Sequence, residues 1–478
     1  MSKLVVNNPY SGAQLAELAY ASEGEISQKL SLARSAFQRW RHASAFRRAE
    51  LLTNIATELE DRHEEFARLI CHEAGKPVSL AHVEVNRAIS VFRWASAEAL
   101  RFSGEMLRLD TGNAQRRGFG IHTRFPRGVI FGIAPFNFPL NLVAHKIAPA
   151  IACGCSVLIK PSPYTPLTAL KLAELFNSRE LDSEPGLVQV VLADDAATAK
   201  LTQAKEVAMV SFTGSETIGW MIKRQAPEKP IALELGGNAW VVVAEDTPEA
   251  LFPQIAQKIA KGAFGYAGQS CISVQNVAVA ESIFSEFSKH LKEATQKSSF
   301  GDPEKMEVHC GPMIHERAIS RIEKMLTDAE AQGLECVQST LRVRGAENAA
   351  TLKLIPPTLV MIQDGQAAGI SSALVSEELF APVANLMRFS RLDEVIAKIN
   401  SGRFGLQAGV FTQRIDVAEK LYAELEVGGV IVNDIPTTRY DHQPYGGVKQ
   451  SGSGREGIRY AMEEMTESRF LALSGTVS

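Results

Sequence analysis

Cysteine is scarce in this chain, with six residues in 478, at positions 71, 153, 155, 271, 310 and 336. No CxxC pair and no Cys/His cluster at zinc spacing occurs, which excludes a disulfide framework and a structural zinc site. An excess of either charge is missing too. The 50 Lys+Arg against 54 Asp+Glu give a net charge of −4, so there is no basic footprint for nucleic acid. The 22% charged and 45% hydrophobic residues exclude a disordered chain. No uninterrupted apolar run reaches about 18 residues, and the opening MSKLVVNNPYSG lacks the apolar core of a signal peptide. These absences predict a soluble cytoplasmic protein with free thiols, no metal, and no nucleic-acid or membrane partner.

What is present is a long chain with two textures. At roughly 100–200 residues per domain the length fits two to four domains. Near the N-terminus, Ile26, Leu30, Ala33 and Phe37 share one helical face. Leu51, Ile55, Leu59, Phe66 and Ile70 read as one further face, closed by Gly75-Lys76-Pro77. A third helix is expected from Ser79 to Phe102. The polar stretch Leu107–Arg124, with Asp110-Thr111-Gly112-Asn113, reads as a protruding hairpin. From residue 127, the short runs VIFGIA, SVLIKP, VQVVLA, AMVSFTG, IALELGG and AWVVVA alternate with helical stretches. A second such series starts near residue 250. Strand–helix alternation predicts parallel βαβ units and two tandem doubly wound α/β domains.

Several residues stand out for chemistry, each with an ordinary alternative. The only literal Gly-x-Gly-x-x-Gly is Gly452, Gly454 and Gly457 in SGSGREG. It follows no apolar strand and is rejected as a dinucleotide fingerprint. The better phosphate candidate is FTGSETIG at 212–219, where Gly214 permits a tight turn and Ser215 caps a helix whose free N–H groups meet a pyrophosphate; the alternative is a plain strand–turn–helix junction. Lys160 ends a strand where α/β sheets bind ligands, or is simply a solvated strand end. Glu234, between Leu233 and Leu235, is expected to be desolvated and raised toward the range of a general base; the alternative is plain alternation on a half-exposed strand, which the apolar run on both sides disfavours. Gly236-Gly237 after it allows close approach of backbone or ligand. Cys271, in GYAGQSCISVQN, reads either as an accessible nucleophile at a turn or as a buried thiol. In PFNFP at 135–139, two prolines and two aromatics fix Asn137. Its amide either serves an oxyanion or bonds its own backbone.

Taken together, PFNFP, KPSP, FTGS, LELGG, GQSC, EELFAPV at 377–383 and GGVKQSGSGRE at 446–456 resemble the aldehyde dehydrogenase superfamily. The motifs stand in the family's order and span nearly the whole chain. The resemblance implies a cofactor domain from 1–105 and 127–237, a catalytic domain at 238–446, and a small β oligomerisation arm and tail from 106–126 and 447–478. It implies a homodimer or homotetramer, NAD or NADP as cofactor, and a small aldehyde as substrate. Cys271 would attack the carbonyl to give a thiohemiacetal, Asn137 and the Cys271 N–H would hold the oxyanion, and hydride would pass to the nicotinamide. Glu234 would then activate water against the thioester. Lys160 and Glu378 would hold the two riboses, Ser215 the pyrophosphate, and Phe380 would pack near the nicotinamide. Phe136, Ser162, Gly214 and Gly236 complete the cofactor set, and Glu456 would lie near a proton path.

This sequence also departs from the family pattern. Pro163 stands where NAD-preferring members often carry glutamate, which makes NADP use plausible, and Ala381 replaces a usual glycine. Phe136 replaces a common tryptophan. Ser270 stands where relatives acting on phosphonate or phosphate substrates carry arginine, which disfavours strongly anionic substrates. Ser270, Ile272 and Arg439 are expected beside the substrate. For Arg439, a structural role bonding backbone carbonyls is favoured over a substrate carboxylate or hydroxyl, and His145 reads as a satisfied helix histidine. The region resembles members acting on lactaldehyde, succinate semialdehyde or vanillin. The alternatives are a CoA-acylating semialdehyde dehydrogenase, which generally lacks the glutamate seen at 234, and a non-catalytic protein of the same fold.

Overall fold

The computed structural model describes residues 3–111, 118–178, 181–344, 354–362 and 370–474. The chain opens on a hairpin, Lys3–Asn7 with Gln14–Ala19, where helices alone were expected. Then come α1 (Glu23–Trp40), α2 (Ala45–Asp61), α3 (His63–Ala74) and α4 (Val78–Arg101). A capping box at Ser22 and Glu25 starts α1. The face through Leu51 and Ile70 is shared by two helices, because the backbone leaves helical geometry at Arg62 (φ −103°, ψ 22°). Gly75, at φ 65°, ends α3.

The first sheet holds β1 (Val129–Ile133), β2 (Ser156–Lys160), β3 (Val188–Val190), β4 (Val207–Thr213) and β5 (Ile231–Glu234). Its order is β5-β4-β1-β2-β3, all parallel, with the short strand Gly452–Ser453 added antiparallel beside β5. The chain works outward from β1 in one direction, then crosses to the other. That reversal opens a crevice at the carboxyl ends of β1 and β4, where doubly wound sheets bind ligands. The second sheet holds β6 (Ala239–Val243), β7 (Val274–Ala280), β8 (Glu335–Gln338), β9 (Thr358–Met361), β10 (Val383–Phe389), β11 (Gln407–Phe411) and β12 (Gly429–Val432). Its order is β8-β9-β10-β7-β6-β11-β12, parallel except for β8. Strands β1 and β6 are buried along their whole length, as their unbroken apolar runs require.

A three-stranded antiparallel arm joins Glu105–Arg108, Gly118–Pro126 and Thr466–Ser474. The turn expected around Asp110–Asn113 lies partly outside the described residues. Met106, Phe119, Phe470 and Leu473 are exposed on the arm. The helix Ile458–Glu464 before its last strand packs inward, with Ile458 and Met462 in the same core as α2 and α4. Among the described residues no helix is long and apolar enough to cross a membrane, and no His/Cys/Asp/Glu group is arranged to hold a metal ion.

Candidate active site

The carboxyl ends of β1, β4 and β5 converge with three segments of the second half of the chain on one chamber. It is lined by Asn137, Gly214, Glu234, Cys271, Glu378, Phe380 and Arg439, together with Ser270, Ile272, Tyr445 and Glu456. Most of the catalytic, cofactor and substrate candidates from the sequence meet here. Lys160 and Ser162 lie further along the sheet edge, at and just after the end of β2.

Cys271 sits in a turn directly before β7 and is half-buried, whereas Cys71, Cys153, Cys155 and Cys310 are buried. The approach to it is strained: Tyr266 and Ala267 hold φ of 52° and 54°, a region non-glycine residues avoid. Buried Gln269 fixes the segment. Its side-chain amide donates to the carbonyls of Tyr266 and Pro312 and its Oε1 accepts from the Ile314 N–H. Burial pushes the Cys271 thiol up to about 12; a hydrogen bond with Tyr445 opposes this, and Glu378 and Glu234 add to it. The Tyr445 hydroxyl lies 3.3 Å from Sγ. The Cys271 N–H has no acceptor among the described residues.

Asn137 is buried, and its Nδ2 donates to the carbonyl of Gln269 at 2.8 Å. The amide is therefore tied to the turn that carries Cys271, not to its own backbone. That bond uses one of its two N–H donors. The turn bearing Asn137 is held from α4: Glu84 accepts the N–H groups of Leu140 and Asn141 at 2.9 and 3.1 Å. Both lie at the start of the helix α5 (Asn141–Cys153), so one carboxylate serves as its cap. Lys76 pairs with Glu84 in the interior, and its Nζ stands 3.6 Å from the centre of the Phe138 ring.

Glu234, the last residue of β5, is buried and its Oε2 has no hydrogen-bond partner. Burial raises it well above the usual carboxylate value of 4.5; Glu456 adds to this while Arg439 and Lys146 oppose it. Glu456 behaves oppositely. Burial would raise it, but Lys146 and Arg439 outweigh that and hold it at about 2. Lys146, on the buried helix α5, donates to Ser211 and Thr213 at 3.0 and 2.7 Å and lies 3.4 Å from Glu456. Their surroundings thus push the two carboxylates in opposite directions. The double glycine after Glu234 allows this packing. A Cβ at Gly236 would lie 2.6 Å from Glu378, and one at Gly237 would lie 2.1 Å from the Cys271 carbonyl.

The cofactor candidates form a second group. Ser215 occupies the N-cap of the helix Glu216–Gln225 but makes no side-chain capping bond, so the expected cap is corrected: the first-turn N–H groups stay free for an anion. Gly214 is not needed for a left-handed turn. It is needed because a Cβ there would lie 2.6 Å from the Phe212 ring. Lys160 is desolvated, which lowers its pKa, and has no hydrogen-bond partner among the described residues. Ser162 is buried and its hydroxyl accepts the Tyr164 N–H. Glu378 accepts the Gly237 N–H at 2.8 Å, and burial raises it to about 7. Phe380, at φ 51°, meets the edge of Phe136 with ring centres 6.0 Å apart. An open helix N-terminus, an unpaired ammonium and a carboxylate beside an aromatic edge fit a nucleotide cofactor.

Arg439 differs from the favoured expectation. Its guanidinium bonds no backbone carbonyl among the described residues; it donates to Glu456 at 3.1 Å and lies 3.7 Å above the Tyr445 ring. His145 is buried, with Nε2 3.4 Å from Asp441. Sequence reasoning missed Tyr445, Lys146, Lys76 and Glu84. Lys146 had a readable signal, a lone charge inside an apolar helical run. Tyr445 had none, because its partner Cys271 is 174 residues away.

The chain is similar to known proteins over nearly its whole length. The model of the aldehyde dehydrogenase family matches residues 2–471. A 3-sulfolactaldehyde dehydrogenase of Priestia aryabhattai is 36% identical over 473 residues, covering 99% of this chain and 95% of the relative. The crystal structure of aldehyde dehydrogenase 21 from Physcomitrella patens, in complex with the reaction product succinate, superposes with a TM-score of 0.91 at 34% identity, covering 100% of this chain and 96% of the other. Glyceraldehyde-3-phosphate dehydrogenase of Methanocaldococcus jannaschii, complexed with NADP, gives 0.89 at 32% identity, covering 99% and 100%. The chain belongs to the aldehyde dehydrogenase family.

Proposed function

We propose that this protein oxidises a small aldehyde to its carboxylate with NAD+ or NADP+, using Cys271 as nucleophile, Asn137 as oxyanion donor and Glu234 as base. The observation that carries the reading is the meeting of these three side chains, from separate parts of the chain, in one chamber. Cys271 as thiolate forms a bond to the carbonyl carbon, and the carbonyl electrons move to oxygen. The free N–H of Asn137 and the Cys271 N–H receive that oxyanion. NAD(P)+, where bound by the cofactor residues, would supply the hydride acceptor for oxidation of the thiohemiacetal to a thioester. Glu234, ionised above its raised pKa, takes a proton from water, the water oxygen bonds to the acyl carbon, and the thiolate leaves. Lys160 and Ser162 would hold the adenosine ribose, Gly214 and Ser215 the pyrophosphate, and Glu378 the second ribose. Phe136, Gly236 and Phe380 would border the nicotinamide end. Pro163 places no carboxylate beside Lys160, which supports NADP+ alongside NAD+. The exposed apolar side chains of the arm support a homo-oligomer.

The test is an aldehyde panel run with each cofactor, with and without CoA. NAD(P)H and free acid without CoA are expected. Turnover only with CoA would favour the acylating alternative, and no turnover with any aldehyde would favour a non-catalytic protein.

Two variants probe the chamber. Asn137→Ala should lower kcat about a hundredfold, and a loss under about threefold would reject its oxyanion role. Tyr445→Phe removes a hydrogen bond that favours the thiolate. Iodoacetamide labelling of the Cys271 peptide should therefore slow about fivefold at fixed pH, and unchanged labelling would remove Tyr445 from thiol activation.

A further inference from the structure

Two cavities share a wall beside the nucleophile. The inner one holds Cys271 and Glu234, and an outer one of about 310 Å3 opens beyond it. Arg87, Ser270, Ile272 and Arg439 line both. The Arg439 side chain is only 6% exposed, yet its single hydrogen bond among the described residues goes to Glu456, and its Nε is buried with no partner. Unsatisfied buried donors are costly. Glu456 is moreover shared with Lys146, 3.4 Å away, so one carboxylate faces two cations. Arg87, on α4 one turn beyond Glu84, is oriented by Asp441, which accepts from its Nε and Nη2 at 3.2 and 2.8 Å. Its side chain keeps 25% exposure. Lys261 adds a further cation to the outer cavity.

We propose that Arg87 and Arg439 form an anion subsite, and that the substrate is a short aldehyde carrying a carboxylate or sulfonate at the end away from its carbonyl. The proposal rests on the reading of Cys271 as nucleophile. Arg439 stacks on Tyr445, whose hydroxyl lies 3.3 Å from Sγ, so an anion held by Arg439 lies near enough to the nucleophile for a short chain to span the two. A planar fork suits a carboxylate or sulfonate better than a neutral hydroxyl does. Ser270, beside the nucleophile and on both cavities, brings no charge of its own. The two arginines supply charge from other elements, at a position suited to a singly charged group.

The test compares succinate semialdehyde with butanal, a neutral aldehyde of equal chain length, by kcat/KM with NADP+ and NAD+. The wild-type protein should prefer the semialdehyde about 10- to 150-fold, mainly through KM. The ratio of the two kcat/KM values should fall at least about fivefold in Arg87→Gln and in Arg439→Gln, with partial recovery in Arg87→Lys. Because Arg439→Gln removes a buried charge and can fail to fold, the wild-type protein supplies a second readout: succinate should inhibit butanal oxidation competitively, and succinamide should not. Oxidation of both aldehydes with equal kcat/KM, or variants that keep the preference, would overturn the anion subsite and leave the dehydrogenase reading intact. Oxidation of neither aldehyde would overturn both.

Discussion

Replacing Cys271 with alanine should abolish aldehyde oxidation, with kcat lower by about 10⁵ or more, while NAD(P)+ still binds. Two features of the site carry this expectation. The four fully buried thiols have no opening to the chamber, and Cys336, half-buried on β8, belongs to another part of the second sheet. None replaces Cys271. The Cys271 side chain is also only half-buried, and the features that fix its turn (the strained Tyr266-Ala267 pair, Gln269 and the close Gly237) are backbone contacts or belong to other side chains. The variant should therefore fold, and cofactor affinity measured by fluorescence titration should match the wild-type protein. The thiol also predicts a pH signature. With burial holding it at about 12, labelling of wild-type Cys271 without cofactor should climb about tenfold per pH unit across the neutral and mildly alkaline range, because only the thiolate reacts. A plateau near neutral pH would show that the free protein already holds a thiolate.

Glu234→Gln should separate the two halves of the reaction. Glutamine keeps the shape of the side chain and loses its basicity, so acylation proceeds and hydrolysis stalls. Rapid mixing should show one NAD(P)H per active site, then a steady rate about 10³-fold below wild type. Wild-type-like turnover would count heavily against Glu234 as base. Stability gives an independent check. Burial, reinforced by Glu456, raises the folded pKa of Glu234 above 4.5. The stability this group contributes is therefore present below the unfolded value and is lost as pH rises through the folded one. Above that folded value, ionised Glu234 opposes folding in the wild-type protein. Glutamine does not, so the variant should melt at the same or higher temperature at mildly alkaline pH.

Much of this fold was legible in the sequence because its signal is local. The buried parallel strands appear as apolar runs such as VIFGIA and AWVVVA, and their alternation with helices is what a doubly wound sheet needs. The opening hairpin was not legible. Its second strand, QLAELA, is made of good helix formers and becomes a strand only through pairing with Lys3–Asn7. The break between α2 and α3 was hidden because the apolar face continues across it. In the site, Glu234 announced itself as a lone carboxylate among apolar neighbours, whereas Cys271 took its meaning from distant motifs. The Tyr445–Cys271 contact, the Lys76–Glu84 pair under Phe138 and the Glu456 bond of Arg439 depend on side chains brought together by tertiary packing, which no spacing rule encodes. Arg439 illustrates the limit: backbone carbonyls are the usual partners of a buried arginine, and only the packing placed a carboxylate and a tyrosine ring there instead.

The central claim, that Cys271 carries the acyl group and Glu234 releases it, is tested most directly by mass spectrometry of Glu234→Gln quenched after a single turnover. The account predicts the acyl mass on the Cys271 peptide in amounts equal to the NAD(P)H formed. A full burst of NAD(P)H with an unmodified Cys271, or with the acyl group on another residue, would contradict it.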